Sequence, residues 1–306
     1  MKTKDLPRDA SPEIPRTWWA EQQPKIEELQ RGLRLVRQSP LTIAGFSIVA
    51  ALVLVAIFAP QIAPYDPIKV RLRDALLAPS RAHLLGTDAL GRDVFSRLVH
   101  GTRITLRIGL LSVLTISSIG VTLGAIAGYL GGRVDTVIMR LGDMFLAFPN
   151  LVLALAIAAA LGGGIETVII AIAVPAWPWY ARTVRGLTLA AREEHYVEAA
   201  VALGCGRLRV LFRHILPNCI GPVIVQMSMS MGYAILNAAA LGFIGIGAQP
   251  PTPEWGLMVS VGRIHFMDQP WVSTFPGLAI MITVLGYQLM GDGLRDILDP
   301  RTRRGW

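Results

Sequence analysis

Apolar residues in this chain come in long runs, and the polar residues are gathered between the runs rather than alternating with them. The first run, LTIAGFSIVAALVLVAIFA (41–59), has no charge and is long enough to cross a bilayer as a helix, which takes roughly 20 apolar residues. Five more runs follow, near 104–127, 143–161, 166–184, 220–243 and 274–292. The pattern predicts an all-α integral membrane protein with six transmembrane helices in a domain spanning 41–306. Polar loops are expected at 60–103 and 246–273 on one side of the membrane, and at 185–217 on the other. Ahead of the first run, residues 1–40 form a separate N-terminal segment. Its first part is proline-rich and mixed in charge, which predicts disorder. At 25–38, Ile26, Leu29, Leu33 and Val36 share one helical face, as in a short amphipathic helix lying on the membrane and ended by Ser39-Pro40.

Composition agrees with a membrane reading. Of 306 residues, 53% are hydrophobic and only 16% charged, where a soluble domain carries about a quarter. The net charge of +8 would suit nucleic acid, but the Lys and Arg residues sit at the ends of apolar runs. That placement orients helices, and no nucleic-acid partner is expected. Six spans put both termini on one face, together with residues 182–214 and the tail RTRRGW, and the positive-inside rule makes that face cytoplasmic. The loop at 60–103 runs against the rule, since it holds Lys69, Arg71, Arg73, Arg81, Arg92 and Arg97. Asp66, Asp74, Asp88 and Asp93 lie in the same loop, which predicts charge pairing inside a folded external segment.

Several positions inside the runs are specialised. Gly120, Gly124 and Gly128 fall four apart, a spacing that lets another helix approach closely; a solute path along the glycines is the alternative. Pro149, Pro175 and Pro178 predict kinks or helix ends. Asn150, Gln226, Ser230 and Asn237, with Ser228 and Gln288, are polar side chains expected to face the bundle interior. They either join helices by hydrogen bonds or line a polar pathway. Asp143 and Asp292 fall towards span ends, and no span centre carries an acid or base. No nucleotide-binding GxxxxGK[ST] loop, metal-ligand histidine spacing or GxSxG elbow occurs, so the chain reads as a non-catalytic conduit without an energy source of its own.

The polar stretch EEHYVEAAVALGCGRLRVLFRHILPN (193–218) is the most informative. Residues 193–203 favour helix, with Tyr196, Ala199, Ala200 and Leu203 expected on one face. Gly204 sits where a helix commonly ends in left-handed geometry. A short basic helix then leads to Leu216-Pro217, where the next span begins. Glu198-Ala199-Ala200, Gly204 and Leu216-Pro217 resemble the EAA loop of permease subunits of bacterial ATP-binding-cassette importers. His214 stands where that pattern has isoleucine, with Ile215 one place later. HLLGTDALGRDVFSRL (83–98), GGRVDTVIMRLGDMFLAFP (131–149), GFIGIGAQPPTPEWG (242–256) and MGDGLRDILDP (290–300) are similar to the second, C-type permease of the dipeptide, oligopeptide and nickel branch.

The resemblance implies a fold of the type I importer permease kind with a cytoplasmic coupling helix. It implies a homologous second permease subunit, two ATP-binding subunits and an extracytoplasmic substrate-binding protein as partners. ATP and Mg would be bound by those partners, leaving no cofactor in this chain. The coupling loop would comprise Tyr196, Glu198, Ala199, Ala200, Leu203, Gly204, Leu216 and Pro217, with Glu198 anchored by Arg207, Arg209 or the partner. The expected cargo is a di- or oligopeptide. A nickel chelate, an opine or glutathione carried by the same machinery is the alternative, and a self-sufficient secondary transporter is a further one.

Overall fold

A computed structural model describes residues 39–298; the expected amphipathic helix at 25–38 and the tail RTRRGW lie outside them. The elements are α1 (Pro40–Ile57), α2 (Val94–Leu130), α3 (Gly132–Leu146), α4 (Asn150–Leu161), α5 (Ile165–Arg192), α6 (His195–Ala202), α7 (Arg207–Ile244), α8 (Trp255–Gly262) and α9 (Trp271–Leu298). No strand occurs among the described residues; one isolated bridge joins Thr87 and Asp93. Helix α1 starts where Ser39 Oγ accepts from the Thr42 amide at 3.3 Å and Pro40 occupies the first turn. Helix α2 starts where an Asp93 carboxylate oxygen accepts from the Ser96 amide at 2.7 Å.

Four helices, α1, α2, α7 and α9, are long and apolar enough to cross a membrane. The span expected near 143–161 is a bent pair, α3 and α4, meeting at 88° at the interruption that Pro149 predicts. Pro149 is the cause, because it lacks an amide hydrogen and its ring crowds the preceding turn. Pro175 and Pro178 do not end α5, which runs unbroken for 28 residues. That helix is long enough to cross but carries Glu166, Arg182 and Arg185. The expected span at 104–127 is also longer than foreseen. Helix α2 extends to Val94, so the connection from α1 is shorter than the 60–103 loop read from sequence.

Packing is set by glycines. Helix α2 lies along α5 in the most extensive helix pair of the fold. A Cβ added at Gly120 would fall 2.7 Å from the Trp177 carbonyl oxygen, at Gly124 2.8 Å from Ala181 Cα, and at Gly128 2.8 Å from the Arg185 carbonyl oxygen. All three distances are shorter than any real Cβ contact, so the glycines form a packing seam and line no open path. A second seam joins α1 to α9. A Cβ at Gly45 would sit 2.8 Å from Leu289 Cβ, and one at Gly286 3.1 Å from Ile48 Cβ.

The connections α1–α2 and α7–α9 fold together into one cap. His83 Nδ1 lies 2.9 Å from Asp93 Oδ1, and Arg92 Nε donates to Asp88 Oδ2 at 2.7 Å. Arg97 lies 3.6 Å from Asp88 and donates to the carbonyls of Pro67 (2.8 Å) and Pro251 (3.3 Å). Asp88, Arg92, Asp93 and Arg97 are all buried. Two of the six cations that ran against the positive-inside rule are therefore internal, neutralised or held by carbonyls. Trp255 Nε1 donates to the Leu98 carbonyl (3.0 Å) and Trp271 Nε1 to the Thr87 carbonyl (3.3 Å), which ties the second connection to the first. Glu254 is buried and caps α8 by accepting from the amides of Gly256 and Leu257, both at 2.8 Å. Burial pushes its carboxyl above the usual range, and the two amides oppose that shift.

Gly124→Leu is expected to push α2 off α5 and cost about 1–3 kcal/mol, the range for overpacking. A detergent melting curve unchanged from wild type would overturn the packing seam. Asp88→Ala strands Arg92 and Arg97 without their carboxylate, and breaking a buried pair costs about 3–5 kcal/mol. Limited proteolysis between residues 63 and 93 should accelerate in that variant, while helix content by circular dichroism stays near wild type.

Candidate functional site

The segment resembling the EAA loop forms a helix, a tight reversal and a second helix. Helix α6 ends in a double-bonded stop. The Cys205 amide donates to the Ala200 carbonyl (3.1 Å) and the Gly204 amide to the Val201 carbonyl (2.9 Å), with Gly204 at φ +80°. This is the Schellman arrangement, and only glycine adopts that backbone cheaply. Nothing lies within 4 Å of a Cβ at Gly204, so conformation rather than space selects the residue.

The expected common face of α6 is split. Ala200 turns inward beside Val197, whereas Tyr196, Ala199 and Leu203 face outward, Leu203 at 85% exposure. Val201, Leu208 and Phe212 are exposed as well, the last two within a strongly basic stretch. Glu198 is 67% exposed and its ion partner is the His195 ring, Nδ1 to Oε2 3.4 Å. No ion pair among the described residues joins it to Arg207 or Arg209. Arg207, Arg192 and Glu198 do line one cleft of about 580 Å³ with Tyr129 and Val197.

The expected start of a span at Leu216-Pro217 lies inside a helix. Residues Arg207–Ile244 are continuous, with a π-helical turn at Val210–Ile215 closed by the Leu216 amide donating to the Leu211 carbonyl. The widened turn sits just ahead of Pro217, whose ring would otherwise meet the carbonyl four residues back. Ile215 is fully buried while His214 is half-buried, so the apolar anchor of this turn is at 215. Leu216 packs against the core, and Pro217 is exposed. Asn218 Nδ2 donates to Tyr196 Oη at 2.8 Å and clamps α6 to the foot of α7.

Higher on α7, Gln226 and Ser230 line a cavity of about 500 Å³ with Pro222, Tyr233 and, from α9, Arg295. The Tyr180 hydroxyl donates to Ser230 Oγ at 2.9 Å. Asn150, at the α3–α4 bend, reaches the same face through Nδ2 to Tyr233 Oη at 3.3 Å, and its Oδ1 is buried without a partner. Three of the four expected pathway residues are thereby brought together. Asn237 is not, because its amide donates back to the Tyr233 carbonyl of its own helix at 2.8 Å. Sequence reasoning missed Tyr233, although its spacing from Gln226 and Ser230 puts all three on one helical face.

Residues 120–304 match the family described as the inner membrane component of binding-protein-dependent transport systems. Residues 29–79 match the N-terminal transmembrane domain of oligopeptide transport permease C. The dipeptide transport system permease protein DppC of Alkalihalophilus pseudofirmus is 41% identical over 303 residues, 99% of this chain and 100% of the relative. The di/tripeptide permease DppC of Pseudomonas aeruginosa is 47% identical over 268 residues, 85% of this chain and 88% of its own. The glutathione transport system permease protein GsiD of Pectobacterium atrosepticum is 45% identical over 271 residues, 88% of this chain and 90% of its own. Among solved structures, the inward-facing MetNI methionine ABC transporter aligns with TM-score 0.55 at 18% identity, covering 66% of this chain and 97% of that one. That likeness is one of fold. With four apolar helices of spanning length and this extent of matching sequence, the chain belongs to the inner membrane permease family of binding-protein-dependent transport systems.

Proposed function

We propose that this chain is one half of the translocation pathway of an ATP-binding-cassette importer for di- and oligopeptides, multi-pass in the inner membrane with both termini in the cytoplasm. The peptide reading draws on relatives named for dipeptides, di/tripeptides and glutathione, itself a peptide. A homologous second permease supplies the other half. Two ATP-binding subunits hold ATP and Mg beneath the pair, and an extracytoplasmic binding protein delivers solute to the cap built on Arg97 and Trp255. The chain contributes no catalytic group.

The observation that carries the reading is the mechanical continuity from α6 to α7. The exposed apolar face of Tyr196 and Leu203 is what an ATPase subunit would grip. Three features pass its motion on: the stop at Gly204, the clamp from Asn218 to Tyr196, and the unbroken helix from Arg207. That helix carries Gln226, Ser230 and Tyr233, so a displacement at its foot moves the wall of the cavity. Reversing a 1:99 gate equilibrium takes about 5.5 kcal/mol of differential contact energy. A loss of about 1.4 kcal/mol at the grip therefore shifts the gate tenfold.

Gly204→Val places a β-branched residue at φ +80°, and Leu203→Asp removes the apolar grip without touching the backbone. Both variants should insert and assemble at wild-type levels, while peptide uptake by the reconstituted importer falls about tenfold or more. Wild-type uptake in both would sink the coupling assignment. The purified chain alone in liposomes should move no peptide under a proton gradient. Uptake there would point to the secondary-transporter alternative.

A further inference from the structure

The cap gathers more buried positive charge than negative around one small void. Asp88, Arg92 and Arg97 supply the polar wall of that void, and Val94, Met258 and Val272 the apolar one. The three charged side chains are only 6%, 6% and 4% exposed. Two guanidiniums thus face a single carboxylate. The other buried acids of the cap are engaged elsewhere, Asp93 with the His83 ring and the Ser96 amide, Glu254 with the amides of Gly256 and Leu257. A charge removed from water needs a counter-charge, and one of these two cations has none among the described residues.

Hydrogen bonding defines the missing group. Arg92 engages Nε with Asp88, and Arg97 engages one terminal nitrogen with the carbonyls of Pro67 and Pro251. A guanidinium carries a fork of N–H donors, and most of those on Arg92 and Arg97 have no acceptor among the described residues. Asp88 has little left to offer. Its Oδ1 already accepts from the amides of Leu90 and Arg92, and its Oδ2 from Arg92 Nε. A water in the void would meet donors in excess and few free acceptors for its own hydrogens. The group that fits accepts only and carries one negative charge. The void measures about 20 Å³, room for one occupant little larger than water and too small for a carboxylate or a sulfate.

We propose that the void binds one chloride ion between Arg92 and Arg97. The ion accepts from both guanidiniums, balances the charge that Asp88 leaves over, and makes plain van der Waals contact with Val94, Met258 and Val272. It also links the two connections of the cap, because Arg92 belongs to the first and Arg97 is fixed on Pro251 of the second. A ligand that binds only the folded cap stabilises it by mass action. Chloride outside the cell thereby sets how firmly the surface offered to the binding protein holds together, whatever solute the importer carries.

The test places the permease pair with its ATPase subunits in lipid nanodiscs and follows proteolysis between residues 63 and 93 by mass spectrometry. Sodium chloride, sodium bromide and sodium gluconate are compared at one ionic strength. Chloride at about ten times its Kd should slow cleavage about tenfold relative to gluconate, and bromide should also protect. Arg92→Met leaves Asp88 and Arg97 in balance and should lose the chloride effect. Asp88→Asn adds to the uncompensated charge and should steepen it. Val272→Leu fills the void with the charges intact and should lose the effect too, which keeps the test decisive if Arg92→Met fails to assemble. Equal cleavage of wild type in chloride and gluconate would overturn the site. A chloride effect of wild-type size in Arg92→Met or Val272→Leu would do the same, since the ion would then act elsewhere.

Discussion

Backbone contact between α2 and α5 is the constraint on which the other features hang. Lipid tails are as apolar as leucine, so helices in a membrane gain little from burying apolar surface and must win by close van der Waals approach. Three glycines without a Cβ bring α2 onto the carbonyls and small residues of α5. Once α5 is fixed there, Tyr180 meets Ser230, Arg185 meets Asp135 and Arg182 meets Asp143. At the far end of α5, Arg192 donates to the carbonyls of Gly128 and Tyr129, closing the end of α2 just before α6 begins. One packing decision therefore positions the proposed coupling segment, the polar face around Ser230 and the ion pairs between α3 and α5.

The proposed coupling segment is closed tightly after α6 and widened at the foot of α7. The Gly204 and Cys205 amides close the end of α6 by two backbone bonds, and the bond from Asn218 to Tyr196 ties α6 to α7. The π turn at Val210–Ile215 lets a proline-containing helix continue instead of breaking, at the cost of one irregular turn. Buried Val210, Leu211 and Ile215 pin that turn to the core, leaving the exposed Leu208 and Phe212 beside α6.

Much of this was legible in the residues. The apolar runs gave the long helices because their length is a direct response to bilayer thickness. The glycine spacing gave a seam because small side chains four apart have one strong use in a helix. Gly204 gave the stop because few other residues tolerate that backbone. The features that stayed hidden depended on partners distant in sequence. Pro149 bends its segment by 88°, whereas Pro175 and Pro178 leave α5 whole, and neighbouring helices decide which outcome holds. Ala200 has the helical spacing to join Tyr196 on an outer face, yet the inward face is set by the helices beneath α6. Asp143 looked peripheral until α5 supplied Arg182. Tyr233 needed the α3–α4 bend to bring Asn150 to it. Helix α8 escaped notice because a glutamate, an uncommon cap, starts it behind a proline-rich stretch.

The cap at the α2 end has a consequence for how such chains diverge. Arg97 accepts no substitute from one connection without consulting the other, since its guanidinium is shared between carbonyls 184 residues apart, those of Pro67 and Pro251. The indoles of Trp255 and Trp271 bind the two stretches again at Leu98 and Thr87. The two surface stretches are thus inherited as a unit. A chimera that borrows one of them from a relative inherits a mismatched interior, whatever the similarity of the parts that show.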